Sequence, residues 1–384
     1  MKNYFLITSL IFALNTNVNS QVRAWIRVNQ LGYLPNDKKA AILLSEENIT
    51  IKSFSIYNAL TDELEYKSDE IIPYGNFGNF KSTFRLNFSN LREEGSYKIK
   101  IDSIESPVIR IFKNAYDGSA DFLLNYMRQQ RCGYNPILND SCHTSDGFII
   151  YHPALDSTHI DATGGWHDAS DYLQYVTTSA NAVYLMLFAY EQNQNCFSDE
   201  YENNGIKKAN GIPDILDEAK WGIDWLLKMN PKADEMYNQI ADDRDHRGFR
   251  LPNEDTISYG KGLERPVYYC TGKPQGMFRY KNRSDGIAST AGKFASAFAL
   301  GSEVFKKYFT EYAEKLKQKA IEAYDYGKRN PGVCQTAPCI SPYFYEEENW
   351  VDDMQLAAAS LYKLTGEKKF LDDAITFGRQ ERTT

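Results

Sequence analysis

Gly164-Gly165-Trp166-His167-Asp168-Ala169-Ser170-Asp171-Tyr172 is the stretch on which the reading of this sequence turns. Two glycines, able to take backbone angles closed to other residues, lead through a tryptophan into two carboxylates three positions apart. Tyr172 to Tyr190 then runs apolar nearly all round, the pattern of a helix enclosed by a larger helical body. On the opening turn of that helix Asp168 and Asp171 are i, i+3 neighbours pointing the same way. The N–H groups of a helix start favour their charged forms. Two readings follow. A shared pair of carboxylates can hold and deprotonate one water, one acting as base and the other orienting it. Alternatively, one aspartate caps the helix and the other sits in its first turn, each for local reasons.

The helical texture extends on both sides. Ala120, Leu123, Leu124 and Met127 fall on one face at helical spacing. Pro213 occupies a favoured first-turn position of a helix running to about residue 229, with Asp214, Asp217 and Glu218 early and Lys228 late. Further helices read at about 286–308, 311–328, 350–364 and 368–380, with Gly292 placed for close helix contact. After Asn114 there is almost no strand signal, and the segments 131–170 and 231–285 read as long, ring-rich loops of the kind that carry function. Before Asn114 the period is two. Ile26 and Val28, Ala40–Leu44, Phe54–Tyr57, Phe84–Phe88 and Tyr97–Ile101 are short runs separated by turns such as Pro35-Asn36-Asp37 and Glu94-Gly95. Many short strands in 21–113 predict an immunoglobulin-like β-sandwich, and 114–384 a helical domain.

The first twenty residues read as an export signal. Lys2 is followed by an apolar run from Tyr4 to Leu14 and small residues before Gln21, too short a run to span a bilayer, which needs about 20 residues. A secreted or periplasmic protein is expected, with no membrane span. Lys+Arg 43 against Asp+Glu 51 gives a net charge of −8, and without a basic cluster no nucleic-acid partner is expected. Oligomeric state is left open by these features.

Cys132, Cys142, His143 and His167 form a second constellation. Two thiolates and two imidazoles are a standard tetrahedral Zn2+ set, and three of the four lie within twelve residues. A Cys132–Cys142 disulfide is the alternative in an exported chain, but it leaves the Cys-His adjacency and His167 unexplained. Cys334 and Cys339 are placed for a short-loop disulfide, and Cys196 and Cys270 read as lone thiols. Asp242-Asp243-Arg244-Asp245-His246, with Glu254 and Asp255, reads as a solvated charge run, with Ca2+ binding as the rival reading. No role is assigned to His152 or His159.

The nine-residue stretch closely resembles the fingerprint of glycoside hydrolase family 9. Arg27-Val28-Asn29-Gln30-Leu31-Gly32-Tyr33-Leu34-Pro35 is similar to the start of the immunoglobulin-like module that precedes many of its catalytic domains. Asp217–Leu226 and Trp350–Ala358 resemble two of its recurring helices. The resemblance implies an (α/α)6 barrel, of which 114–384 would be the N-terminal part, and hydrolysis of β-1,4-glucan with inversion. It makes Asp171 the general base and Asp168 a holder of the water. The family's acid is a Glu from the C-terminal part of the barrel, so it is expected beyond Thr384. The chain then reads as a fragment ending after the seventh of twelve helices, inactive by itself. Xyloglucan, mixed-linkage glucan or chitin-type oligosaccharides are alternative substrates, and a sugar-binding remnant is an alternative role. The resemblance supports structural Zn2+ at the Cys-Cys-His-His set and allows Ca2+ elsewhere. Trp166, Tyr172, Tyr345 and Trp350 are expected to touch substrate, with Tyr259, Tyr268, Tyr269, Tyr280, Tyr343 and Phe344 as further stacking candidates.

Overall fold

The computed structural model describes residues 22–342 and 344–381; the expected export segment, Tyr343 and the chain end at Thr383 and Thr384 lie outside the described residues. The chain divides between Asp117 and Gly118 into two compact units.

The first unit is all β. Strands β1 (Ala24–Arg27), β2 (Ala40–Ser45), β5 (Ile71–Phe77) and β6 (Phe80–Asn87) form one antiparallel sheet in the order β1-β2-β6-β5. Strands β3 (Phe54–Asn58), β4 (Leu64–Ser68), β7 (Gly95–Ile101), β8 (Ile104–Glu105) and β9 (Ile109–Ile111) form the other, with β7 at its centre. Alternation decides which side faces in: Tyr97, Ile99 and Ile101 are buried while Lys98 and Lys100 are half-buried between them. Leu43, Phe84 and Leu86 from the first sheet meet Phe54, Ile56 and Ile99 from the second in one core. This is the expected sandwich.

The second unit is built on seven α-helices among the described residues: α1 (Ser119–Gln129), α2 (Val176–Gln192), α3 (Asp214–Met229), α4 (Ala288–Phe305), α5 (Thr310–Arg329), α6 (Val351–Thr365) and α7 (Lys368–Gln380). Packing runs α2 on α4 and α4 on α6, with α3, α5 and α7 against them. Helix α4 is buried along almost its whole length because Ala, Gly and Ser let its neighbours approach. At Gly292 a Cβ would lie 2.7 Å from the Asp353 carbonyl carbon, so the glycine is what allows α4 to touch α6.

Four expectations are corrected. The helix expected from Tyr172 begins only at Val176, because Tyr172 takes a positive φ of 59° and Gln174–Tyr175 is a strand. That helix is also not enclosed all round, since Leu185 and Phe188 are exposed. On α1 the buried face carries Leu124 and Arg128, while Leu123 is exposed. Finally, the long loops contain six short strands. β10 (Gly133–Asn135) pairs with β11 (Asp140–Cys142), and β12 (Phe148–Ile150), β13 (Gln174–Tyr175), β14 (Tyr237–Ile240) and β15 (Pro266–Tyr269) form a sheet in the order β12-β15-β14-β13. Strands this short show no period of two, and in the four-stranded sheet partners are distant in sequence, as in Ile149 opposite Val267. Strand β13 delivers Tyr175 directly into α2, so this sheet sets where the fingerprint stretch ends.

Candidate active site

The fingerprint folds as a tight turn at the head of α2. Gly164 and Gly165 both have positive φ, and a Cβ on Gly165 would strike the Trp225 ring at 2.6 Å. The chain then pairs with the end of α1: the Cys132 N–H donates to the Gly165 carbonyl at 2.9 Å and the His167 N–H to the Gln130 carbonyl at 2.8 Å. The Asp168 N–H donates to the Leu173 carbonyl at 2.7 Å, closing a loop that carries both aspartates. Tyr172 closes it from the other side, its hydroxyl bonded to the Arg250 carbonyl. Asp168 and Asp171 therefore share a turn, as the pairing required, but the turn is not helical and neither caps α2.

Both carboxylates line a cleft of about 300 Å³ with Ala169, Tyr175, Phe344 and Tyr345. Asp168 Oδ2 accepts the Tyr345 hydroxyl at 2.7 Å. Asp171 Oδ2 meets His246 Nε2 at 2.6 Å, while its Oδ1 is buried and makes no hydrogen bond to the protein. Each aspartate is thus oriented through one oxygen by a ring group from a distant loop. Burial, and then the charges of Asp168 and Asp171, push the Tyr175 hydroxyl well above the usual phenol range, so it stays protonated beside them. A second groove of about 500 Å³ adjoins the turn, lined by Asp168 and Ser170 together with Tyr126, Gln130, Ile137 and Leu251.

The aromatic expectations divide. Tyr345 is 39% exposed and Phe344 half-buried, both on the cleft. Trp166 is 3% exposed, its Nε1 donating to Glu218 Oε1 at 2.8 Å and its ring fitted against Gly222, so it is a core residue rather than a sugar platform. Tyr172 is likewise buried and spends its hydroxyl on Arg250. Trp350 is half-buried and packs edge-on against Phe377 at 6.0 Å, away from the cleft-lining set. Tyr259 and Tyr268 are buried, with hydroxyls on Asp245 and Asp242. Tyr269 and Tyr280 are half-buried.

The Asp242–His246 run is not solvated. Asp242, Asp243 and Asp245 are all buried and satisfied: Asp242 by Arg244 and Tyr268, Asp243 by the N–H groups of Ile340 and Ser341, and Asp245 by Arg250 and Tyr259. Three donor atoms, from Asp242, Asp243 and Cys339, do lie together, but these partners already engage both carboxylates. The run holds His246 against Asp171. The sequence flagged this loop for its oxygens and missed the histidine, whose role depends on a contact 75 positions away.

Cys132, Cys142, His143 and His167 are brought together, one donor atom from each lying within 4.8 Å of the others. His167 Nε2 lies 3.2 Å from His143 Nδ1 and 3.9 Å from Cys142 Sγ. Both cysteines are thiols, so the disulfide alternative is not realised, and Cys334 and Cys339 are likewise unpaired. Cys334 lies against Asn238 at 3.4 Å and Cys339 against Met277 at 3.8 Å. The other nitrogen of His143 meets Asp255 Oδ2 at 3.1 Å, the carboxylate backing usual for a metal-bound imidazole. Burial works to raise the Asp255 carboxyl, but bonds from His143 and Arg250 outweigh it and hold it well below the usual range. Two sulfurs and two imidazole nitrogens, with the His143 ring backed by Asp255, fit a closed, tetrahedral metal site.

The chain is thus a β-sandwich followed by a helical unit that carries a paired-carboxylate turn on an aromatic cleft. The chain belongs to glycosyl hydrolase family 9, whose family model matches residues 116–384. A cellulase N-terminal ig-like domain matches residues 21–106. Endoglucanase D of Acetivibrio thermocellus is 28% identical over 385 residues, covering 96% of this chain and 56% of the relative. A cellodextrinase of Butyrivibrio fibrisolvens is 28% identical over 365 residues, covering 91% and 60%. The chain thus spans somewhat over half the length of these curated relatives. Among solved structures, a metagenome-derived family 9 endoglucanase superposes with a TM-score of 0.72 at 26% identity, covering 94% of this chain and 65% of that one.

Proposed function

We propose that this chain forms the base side of an inverting β-1,4-glucan hydrolase. The observation that carries the reading is the pair of oriented carboxylates: Asp171 has one oxygen tied to His246 and the other without a protein partner, beside Asp168 tied to Tyr345. A water held by both carboxylates gives a proton to Asp171 as its oxygen attacks the anomeric carbon. The glycosidic C–O bond breaks on the opposite face, and the leaving oxygen takes its proton from a carboxylic acid about 6.5–9.5 Å from the base. Asp168 does not serve as that acid, because it shares the turn with the base. Tyr345 and Phe344 supply ring faces for a sugar at the cleft.

Helices α2, α4 and α6 are read as part of the inner wall of an (α/α)6 barrel, with α3, α5 and α7 outside them. The exposed Leu185 and Phe188 on α2 and Leu356 on α6 suit edges that receive further helices. The Cys132, Cys142, His143 and His167 set is read as a structural Zn2+ site, since thiolate and imidazole donors select that ion and a closed set leaves no position for a reacting water. When bound, the ion ties 132–143 to the residue immediately before Asp168. The apolar N-terminal stretch supports export to where polymeric glucan lies.

The test is product analysis with protein expressed from the intact gene. Soluble β-1,4-glucan should release reducing ends whose first-formed anomer is α. Asp171→Asn should lower kcat by about a thousandfold or more with binding of cello-oligosaccharides retained. Retained activity in that variant, or a β-anomer first, would refute the assignment.

A further inference from the structure

The segment 344–349 that brings Tyr345 to Asp168 is held by a charge cluster that packing alone does not call for. Lys293 of α4 is buried, and its ammonium contacts both oxygens of Asp353 on α6 at 2.6 Å. The single ammonium is therefore the cation on which this pair depends. A third group joins it: Glu347 Oε1 lies 2.7 Å from the same ammonium and accepts the Thr177 hydroxyl, from the first turn of α2, at 2.7 Å. Desolvating two carboxyls around one ammonium costs free energy, so the gain must lie in what Glu347 holds.

What it holds is a strap. The Glu347 carbonyl accepts Gln335 Nε2 at 2.7 Å, and the Tyr345 N–H donates to Thr336 Oγ1 at 2.8 Å. Glu346 and Glu348, on either side, are exposed and meet Arg283 at 2.7 and 3.3 Å. The strap therefore points one carboxylate into the helical layer and its two neighbours outward. Two residues before Glu347, the Tyr345 ring stands edge-on to Tyr175 at 4.9 Å and its hydroxyl meets Asp168.

We infer that Glu347, clamped by Lys293 and Thr177, is a positioning residue that fixes Tyr345 on Asp168 and so the orientation of the carboxylate that steadies the water. The inference rests on the function proposed above. Glu347→Ala tests it, because the Lys293–Asp353 pair survives and the helices stay joined. Hydrogen exchange on the 384-residue chain should quicken about tenfold or more in 344–349 with α4 and α6 unchanged. Glu347→Gln, which still accepts from both donors, should restore most of the protection. Unchanged exchange in the strap of Glu347→Ala would overturn the inference.

With protein from the intact gene, Glu347→Ala should cut kcat on soluble β-glucan about tenfold with KM nearly unchanged. Tyr345→Phe should do the same, and the double variant should be no worse than either single. Losses that multiply would overturn the coupling. If the wild type cleaves no β-glucan the functional reading fails, and the exchange result still decides whether Glu347 holds the strap.

Discussion

Glu218 offers the sharpest test of how the fingerprint turn is supported. It is fully buried on α3 and accepts Arg131 through Nε at 3.1 Å and Nη2 at 2.8 Å, with Trp166 Nε1 at 2.8 Å as a third donor. Replacing it by glutamine keeps the shape and one acceptor but leaves the Arg131 guanidinium, 1% exposed, without its counter-charge. Breaking a buried pair from one side costs about 3–5 kcal/mol. Arg131 keeps the Asn203 carbonyl at 3.0 Å and the Trp221 ring at 4.4 Å, so the lower end, about 3 kcal/mol, is expected. Arg131→Met should cost a similar amount by stranding the carboxylate, which among the described residues retains only Arg128 at 3.9 Å as a cation. Replacing both by methionine removes the desolvation penalty with the pair, so the double variant should be more stable than either single. Urea unfolding followed by tryptophan fluorescence reports chiefly the helical unit, because Trp166, Trp221, Trp225 and Trp350 lie in it and Trp25 alone lies in the β unit. A single-variant cost below about 1 kcal/mol, or a double-variant cost equal to the sum of the singles, would refute the reasoning.

Burial pushes the Asp353 carboxyl up to about 7 despite Lys293, so the folded state holds a proton that the unfolded chain releases near 3.8. This group's contribution is therefore fully present below pH 3.8 and lost as pH rises through about 7, and Asp353→Asn should flatten the fall in stability across that window in pH-dependent melts. Metal analysis of purified protein should find about one equivalent of Zn2+, and chelation or Cys142→Ser should lower the melting temperature of the helical unit; a metal-free protein of unchanged stability would contradict the site. Gly292→Ala places a Cβ within 3 Å of the Asp353 backbone and should destabilise by about 1–3 kcal/mol, read as a drop in urea midpoint.

The helices were legible because their signals are local: α3 runs Asp214–Met229, starting one residue after the Pro213 expected in its first turn, and α4 to α7 fall close to their expected ranges. The clustering of Cys132, Cys142, His143 and His167 was legible from residue type alone. What the sequence concealed is non-local. Nothing around His246 indicates that it will lie on Asp171, and nothing in Glu347 suggests a buried partner on α4. Trp166 and Tyr172 were misjudged for the same reason. An aromatic ring beside a candidate acid looks like a sugar platform until Gly222 and Arg250, each about 50 or more positions away, take up its face and its hydroxyl.

Arg265 explains why the proposed metal site and the Asp168–Asp171 turn fold as one object. Its guanidinium is 1% exposed and forks onto Asp146 at 2.9 and 2.7 Å. The same group reaches Cys132 Sγ at 3.4 Å, the Gln174 side-chain carbonyl at 2.7 Å and the Tyr172 backbone carbonyl. One buried cation therefore faces a donor of the proposed Zn2+ site and both residues that end the Asp168–Asp171 turn. Burial pushes the Cys132 thiol up and the Arg265 charge opposes that shift, toward the thiolate a metal requires, while the bonds to Tyr172 and Gln174 hold the left-handed residue and the strand that follows it. Gln174 passes the constraint on, its Nε2 donating to the Gly164 carbonyl at 2.7 Å, at the other end of the fingerprint. Arg265→Lys would keep the charge but not the fork, since a lysine cannot donate along three directions in one plane. It should weaken metal retention and glucan hydrolysis together, whereas loss of one without the other would show that the two sites are built independently.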